Sequence, residues 1–352
     1  MSASPTVADC SERELIARIR GQLPPAPGWM LVGIGDDAAV VEPERNRVEV
    51  LTVDALVEGI HFDRAFVPPD AIGHRALAVN LSDLAAMGAA PRLALLSMAL
   101  PAPLPLADFD AIVAGFTALA ARHRLHVAGG NLTRSPGPLM IDVTVMGTVK
   151  RRQALTRGGA RPGDDIYVSG TVGTAAAGLR LLQSSVGSGQ AQSSIVSTQS
   201  QSATEYSRLT TAYLRPDPRV LLGVHLARNR AASACMDLSD GLADGVAQMA
   251  EASGVGMVID AGALPIDAAA RAFFESRGRD AAIEALTGGD DYELLIAVRP
   301  RTQRRLTAAM QRGDVVLTRI GRCTAGRGIT LRGADGSSID AAALPQGFTH
   351  FR

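Results

Sequence analysis

The stretch Gly33-Ile-Gly-Asp-Asp-Ala-Ala-Val-Val41 sets two adjacent carboxylates behind a pair of glycines and ahead of an apolar run. The glycines permit a tight turn, and the run reads as the start of a strand. Side-by-side carboxylates repel each other unless water or a cation screens them, and a hard ion such as Mg²⁺ is their usual functional occupant. A solvated Asp-Asp turn accounts for this stretch alone equally well. Recurrence separates the two readings: carboxylates stand again at Asp54, at Asp83, at Asp237 and Asp240, and at Asp290 and Asp291. Converged without cations they would raise each other's pKa and destabilise the fold. Converged around Mg²⁺ they seat a polyphosphate, which is equipment for phosphoryl transfer.

Other residues flank these acids. His61 follows Asp54 by seven positions, where it is either a structural histidine or part of the site. Asn80 and Asp83, three apart, share one face of an apolar helix, and burying them unpaired would cost about 1–3 kcal/mol each. In Met236-Asp-Leu-Ser-Asp-Gly-Leu242, Ser239 is placed to cap a helix running to about Ala252. Backbone N–H groups and the helix dipole would then point to the same place as Asp237 and Asp240, a seat for phosphate. A plain N-cap with solvated acids is the alternative.

The elements that must hold these residues follow from periodicity and punctuation. Ser11 and Glu14 form a capping-box pattern opening a short helix that ends before Pro24. Strands are expected at Ala38–Val41 and Val48–Leu56, a helix from an Asp70 N-cap through Ala86, and a helix over 107–122. A short strand ending at Gly129-Gly130-Asn131 and a strand over Leu139–Val149 complete the first part. Beyond Arg151 come a strand at Ile166–Ser169, a helix over Gly170–Leu182, and a Ser/Gln-rich stretch, 183–204, read as a flexible surface insertion. Further strands are expected at Val255–Ile259, Leu294–Val298, Val315–Ile320 and Ile329–Leu331, with a basic helix over Arg301–Arg312. These elements define two domains, 1–150 and 151–352, of mixed α+β character.

Composition narrows the function further. Lys plus Arg and Asp plus Glu are equal at 35 each, so no net charge advertises a nucleic acid or an anionic membrane. The apolar run Leu93–Leu100 is far shorter than the roughly 20 residues that cross a bilayer, and the N-terminus carries no signal-peptide pattern. Three cysteines, Cys10, Cys235 and Cys323, match no zinc or redox spacing and are expected to be free thiols in the cytoplasm. There is no Walker A motif and no protein-kinase signature, so any use of ATP needs another scaffold.

In order along the chain, Gly33-Ile-Gly-Asp-Asp, Thr52-Val-Asp54 with His61-Phe62, and Ala78-Val-Asn-Leu-Ser-Asp-Leu-Ala-Ala-Met-Gly-Ala89 are followed by three more motifs. These are Ala154-Leu-Thr-Arg157, Asp237-Leu-Ser-Asp-Gly241 and Gly288-Gly-Asp-Asp-Tyr-Glu-Leu294. The series resembles the thiamine-monophosphate kinase family, related to aminoimidazole ribonucleotide synthetase and selenophosphate synthetase. The resemblance implies a two-domain α+β fold whose N-terminal domains pair in a homodimer to form a β-barrel, with a C-terminal α/β sandwich. It also implies Mg²⁺-assisted in-line transfer from ATP to thiamine monophosphate. It assigns Asp36, Asp54, Asp83, Asp237 and Asp240 to Mg²⁺, with Thr52 beside the metal and Asp37 in support. Gly130, Arg157 and Ser239 become nucleotide-phosphate contacts, and His61, Asp290 and Phe348 surround the thiamine phosphate. Two positions depart from the pattern. Asn131 replaces a metal-binding Asp, and Val53 stands where a small hydroxyl residue is common. A sister ATP-using enzyme acting on another small molecule, and a non-catalytic homologue, remain as alternatives.

Overall fold

The computed structural model describes residues 4–187, 200–333 and 337–340. The chain divides into two compact units, one of Met1–Leu84 and Ala90–Arg151, the other of Ala85–Ala89 and Arg152–Arg352.

The first unit opens with helix α1 (Glu12–Gly21), where the Ser11 hydroxyl accepts the Glu14 N–H and the Glu14 carboxylate accepts the Ser11 N–H. A small hairpin, β1 (Met30–Val32) and β2 (Val40–Val41), frames the Asp36 loop. Strand β3 (Arg47–Val57), helix α2 (Pro69–Ala86), strand β4 (Ala90–Pro101), helix α3 (Leu106–Arg122), strand β5 (His126–Ser135) and strand β6 (Met140–Lys150) follow. The helix expected from an Asp70 cap starts one residue earlier, so Asp70 lies in its first turn. The strand expected to stop at Gly129-Gly130-Asn131 instead runs through them. A Cβ on Gly130 would stand 1.8 Å from the Leu96 carbonyl oxygen, so glycine here serves close strand contact rather than a turn.

The four strands are ordered β3-β6-β4-β5, with only β4 and β5 parallel. Ile141, Val143 and Val145 of β6 are wholly buried on one face, while α2 is buried at every residue from Ala71 to Ser82. Helices α2 and α3 meet backbone to backbone: a Cβ on Gly73 would lie 1.8 Å from the Ile112 oxygen, and one on Gly115 1.9 Å from the Asp70 oxygen. The opposite sheet face exposes Leu51 (66%), Val53 (60%), Leu95 and Met140. Among the described residues this sheet is open, with β3 and β5 as edges, so one chain forms no closed barrel.

The second unit contains β7 (Asp165–Ser169), α4 (Thr174–Gly187), α5 (Ser200–Leu214), α6 (Val220–Asn229), β8 (Ala234–Asp237), α7 (Leu242–Ser253) and β9 (Gly256–Asp260). It continues through α8 (Ala268–Glu275), α9 (Ala281–Thr287), β10 (Leu294–Val298), α10 (Gln303–Gly313), β11 (Leu317–Thr324), β12 (Ile329–Arg332) and β13 (Ser338–Asp340). The sheet order is β13-β12-β9-β11-β7-β10-β8, antiparallel except between β12 and β9. Apolar residues of β7, β10 and β11 pack with Val246 and Met249 of α7 in one core, and Phe273 and Phe274 of α8 pack with Leu209 of α5 in a second. Two findings correct the sequence reading. Helices α8 and α9 fill a span read as connection, and α4 and α5 extend into both ends of the expected insertion, of which 188–199 lie outside the described residues.

Candidate active site

In the first unit, Thr52 and Asp54 alternate with Leu51 and Val53 along β3, so they sit on the sheet face that bears buried Val143 and Val145. There the Thr52 hydroxyl donates to the Asp83 carboxylate on α2. One turn earlier on that helix, fully buried Asn80 donates its Nδ2 to the Ala76 carbonyl at 3.2 Å, while its Oδ1 has no hydrogen-bond partner among the described residues. Asp36 is exposed in its loop, and its Oδ1 accepts the Asp37 N–H at 2.8 Å. His61 Nδ1 accepts the Val57 N–H at 3.0 Å, which requires that nitrogen to be unprotonated and makes the ring part of the turn after β3.

Asn131 lies elsewhere. The register pairs it with Ser97 and pairs Ser97 with Asp142, on the face that carries Leu95 and Val53. Both departures from the family pattern, Val53 and Asn131, therefore share the open face, separated by three strand spacings, about 14 Å. Gly130 is level with Asp54 along the strands but equally distant across them.

In the second unit the two glycine-acid stretches come together. The Leu238 N–H donates to the Glu293 oxygen at 2.9 Å, the Tyr292 N–H to the Leu238 oxygen at 2.9 Å, and the Asp290 N–H to the Ser239 oxygen at 2.7 Å. These bonds prolong the β8–β10 ladder, in which Leu294 faces Asp237. A Cβ on Gly289 would stand 2.5 Å from the Ser239 oxygen, which explains glycine there. Asp237 is buried, Asp240 and Asp290 are half-buried and Ser239 is exposed.

Ser239 does not cap the following helix. Gly241, at φ 110°, is the N-cap of α7, with no side-chain cap bond, and the Ser239 carbonyl is committed to Asp290. Arg157 nevertheless reaches α7: its Nη1 donates to Gln248 Oε1 at 2.6 Å, and Gln248 Nε2 donates to Asp244 Oδ2 at 2.5 Å. The i,i+4 spacing of Asp244 and Gln248 was visible in the sequence, but their hold on Arg157 was not. The guanidinium is exposed and lies against the middle of α7, and an exposed guanidinium suits a phosphate.

Burial shapes the rest of the loop. Glu293 receives Arg219 Nε at 2.7 Å and Nη2 at 2.5 Å, and the Ser169 hydroxyl at 2.5 Å. Burial raises its pKa, with Arg219 and Ser169 opposing. The Asp291 carboxyl is pushed up to about 8 by burial, against the Gly173 and Ala175 N–H groups it accepts, with Glu293 and Asp290 adding to the rise. Cys10, Cys235 and Cys323 are free thiols. Burial raises Cys235, with Asp237 adding, and lifts Cys323 to about 12, with Asp164 and Asp165 adding.

Among the described residues no group of three or more His, Cys, Asp or Glu side chains stands arranged to hold a metal ion. The donor chemistry still fits Mg²⁺: Thr52, Asp54 and Asp83 offer only hard oxygens, and the buried Asn80 Oδ1 lacks a hydrogen bond one turn from Asp83. Phe348 lies outside the described residues.

Residues 35–149 match the family described as AIR synthase related protein, N-terminal domain, and residues 161–334 its C-terminal domain. The thiamine-monophosphate kinase of Salmonella typhimurium is 37% identical over 317 residues, 90% of this chain and 91% of that one. The crystal structure of thiamine-monophosphate kinase from Stenotrophomonas maltophilia K279a matches with a TM-score of 0.80 and 40% identity, covering 96% of this chain and 100% of that one. A structure described as AaThiL complexed with AMPPCP and TMP matches with a TM-score of 0.73 and 31% identity, covering 99% of this chain and 100% of that one.

Proposed function

The chain belongs to the thiamine-monophosphate kinase family, and from that premise we propose that it transfers the terminal phosphoryl group of ATP to thiamine monophosphate, giving ADP and thiamine diphosphate. The observation that carries this reading is the related protein complexed with AMPPCP and TMP, a nucleoside triphosphate analogue and a phosphorylated acceptor in one complex.

The chemistry asks little covalent work of the protein. A phosphate monoester has its second pKa near about 6, so at neutral pH an acceptor oxygen is already anionic and no general base is required. That oxygen forms a bond to the γ-phosphorus as the bond from phosphorus to the ADP oxygen breaks, and the task left is alignment and charge neutralisation. Asp36, Asp54 and Asp83 of the first unit, with Thr52 as a neutral oxygen donor, and Asp237 and Asp240 of the second are each read as residues that would hold Mg²⁺, and Asn131, on the other sheet face, as a neutral donor to a separate ion. When bound, the ion would offset the charge gathered on the phosphates. Ser239 just ahead of α7, Arg157 against the middle of α7 and Gly130 on β5 are read as contacts for the phosphates of ATP. His61, Asp290 and Phe348 are read as contacts for thiamine monophosphate, whose cationic ring suits a carboxylate and an aromatic face.

The apolar open face of the first unit supports a homodimer in which a second copy covers Leu51, Val53, Leu95 and Met140. Among the described residues no helix is long and apolar enough to cross a membrane, and the free thiols suit a reducing cytoplasm. The deciding experiment incubates purified protein with ATP, Mg²⁺ and thiamine monophosphate and follows both products. ADP and thiamine diphosphate should appear one for one, and ADP release without thiamine diphosphate would overturn the reading.

A further inference from the structure

Asp290 stands in a costly backbone conformation. It has φ 67° and Tyr292 has φ 50°, so two non-glycine residues within three positions adopt the left-handed region. Such a segment persists only where its surroundings fix it, and three attachments do so. The Asp290 and Tyr292 N–H groups are bonded to the Ser239 and Leu238 carbonyls at 2.7 and 2.9 Å. Between them Asp291 turns its carboxylate to the start of α4, accepting the Gly173 N–H at 2.7 Å and the Ala175 N–H at 3.3 Å. These donors belong to the end of a helix where intrahelical acceptors run out, so Asp291 serves as that helix's cap from 118 residues away. Gly173, at φ 78°, could not carry a side chain there, because a Cβ would stand 2.8 Å from the Ala285 Cα. Finally, the Tyr292 hydroxyl donates to Asp290 Oδ1 at 3.2 Å.

We propose that Asp291 and Tyr292 are positioning residues for the acceptor substrate: Asp291 fastens the strained loop to α4, and the Tyr292 hydroxyl aims the Asp290 carboxylate at the cationic part of the acceptor. The proposal rests on Asp290 being an acceptor contact. The two residues divide the labour. The hydrogen bonds themselves show it: Asp291 turns to α4, while the Tyr292 hydroxyl and the Asp290 carboxylate meet each other. The Tyr292 hydroxyl bonds Asp290, the carboxylate read as an acceptor contact, so its loss is expected to act at the acceptor rather than at ATP.

The test is a pair of variants assayed with both substrates varied. Tyr292→Phe keeps the ring and removes only the hydroxyl. It should raise the KM for thiamine monophosphate about fivefold, and leave kcat and the KM for ATP within about twofold. Its thermal midpoint should match that of the parent, which separates aim from folding. Asp291→Ala should raise the same KM further and lower the midpoint. If it fails to fold, Tyr292→Phe decides alone. Direct binding of thiamine monophosphate, measured by calorimetry without ATP, should weaken in parallel with KM. A folded Tyr292→Phe protein with unchanged KM and unchanged binding overturns the positioning role while leaving the kinase reading intact. A parent protein that neither binds nor phosphorylates thiamine monophosphate overturns the kinase reading, and this proposal falls with it.

Discussion

The Thr52 hydroxyl of β3 donates a hydrogen bond to the Asp83 carboxylate of α2, joining two motifs that stand 31 residues apart. The bond orients a half-buried carboxylate on a helix that buries Arg75, Asn80 and Ser82 among its apolar side chains. Asp83→Ala is expected to abolish phosphoryl transfer with the fold retained, because the side chain places charge rather than filling the core. Thr52→Val should cost about 1 kcal/mol of stability, the worth of one such bond. Denaturant titration together with product formation checks both, and near-parental activity in Asp83→Ala would remove this residue from the metal set.

Asp240 precedes Gly241 at the start of α7, where the backbone is fixed by the pairing of Ser239 with Asp290. Asp240→Ala should lower kcat by about 10³-fold, the scale of removing one charge-stabilising group in phosphoryl transfer. Circular dichroism should be unchanged. A variant with parental kcat would show that the acid is only a solvated turn residue.

Asn131 offers a neutral oxygen on the open face of the sheet, at a distance from Thr52 and Asp54. Asn131→Asp adds a charge there and is expected to lower the Mg²⁺ concentration giving half-maximal rate, by about tenfold if the new carboxylate gains about 1.4 kcal/mol of ion binding. If the Mg²⁺ dependence does not move, this position is no ligand.

Asp291 supplies a pH dependence of known sign. Its folded pKa is about 8 against an ordinary 3.8, so the folded state keeps a proton that the unfolded chain has already lost. Its contribution to stability is full below about pH 4 and declines as pH rises toward about 8. Glu293, also raised by burial, acts in the same direction. Thermal midpoints measured between about pH 5 and pH 8 should fall, and Asp291→Asn, which cannot titrate, should flatten the slope. An equal slope in both proteins would assign the effect to other groups.

Leu51 and Val53 are the most exposed apolar residues of the open sheet face, at 66% and 60%. Leu51→Lys with Val53→Glu should shift the protein from dimer to monomer in light scattering while circular dichroism stays the same. A parental protein that is monomeric at micromolar concentration would remove the dimer.

Local pattern made much of this fold readable. Leu294–Val298 was bounded by its β-branched and apolar run, and α2 by its Pro and Gly punctuation. Helices α8 and α9 escaped because they are short and alanine-rich within a span dominated by turns. Their signal was Asp267 and Asp280, whose side chains cap them by accepting the Ala269 and Ala282 N–H groups. The acids of the site were legible as types, since glycine beside paired carboxylates has few uses. Their partners were not, because the links that fix them span long stretches of chain. Ser239 meets Asp290 and Asp291 meets Gly173 through the tertiary fold, not through nearness in the chain. Ser239 as a cap failed for a local reason: Gly241 accepts a backbone turn that moves the helix start two residues onward.

The thiols have a practical consequence. Cys235 and Cys323 are buried and held protonated, whereas Cys10 alone is partly exposed, just ahead of α1. Alkylating reagents and mild oxidants act on thiolates, so the folded protein presents them with one accessible target near its start and shields the two sulfurs in the second unit. A maleimide dye would therefore mark the folded chain at one position, and uptake of a second or third label would report the opening of the sheet that contains β8 and β11.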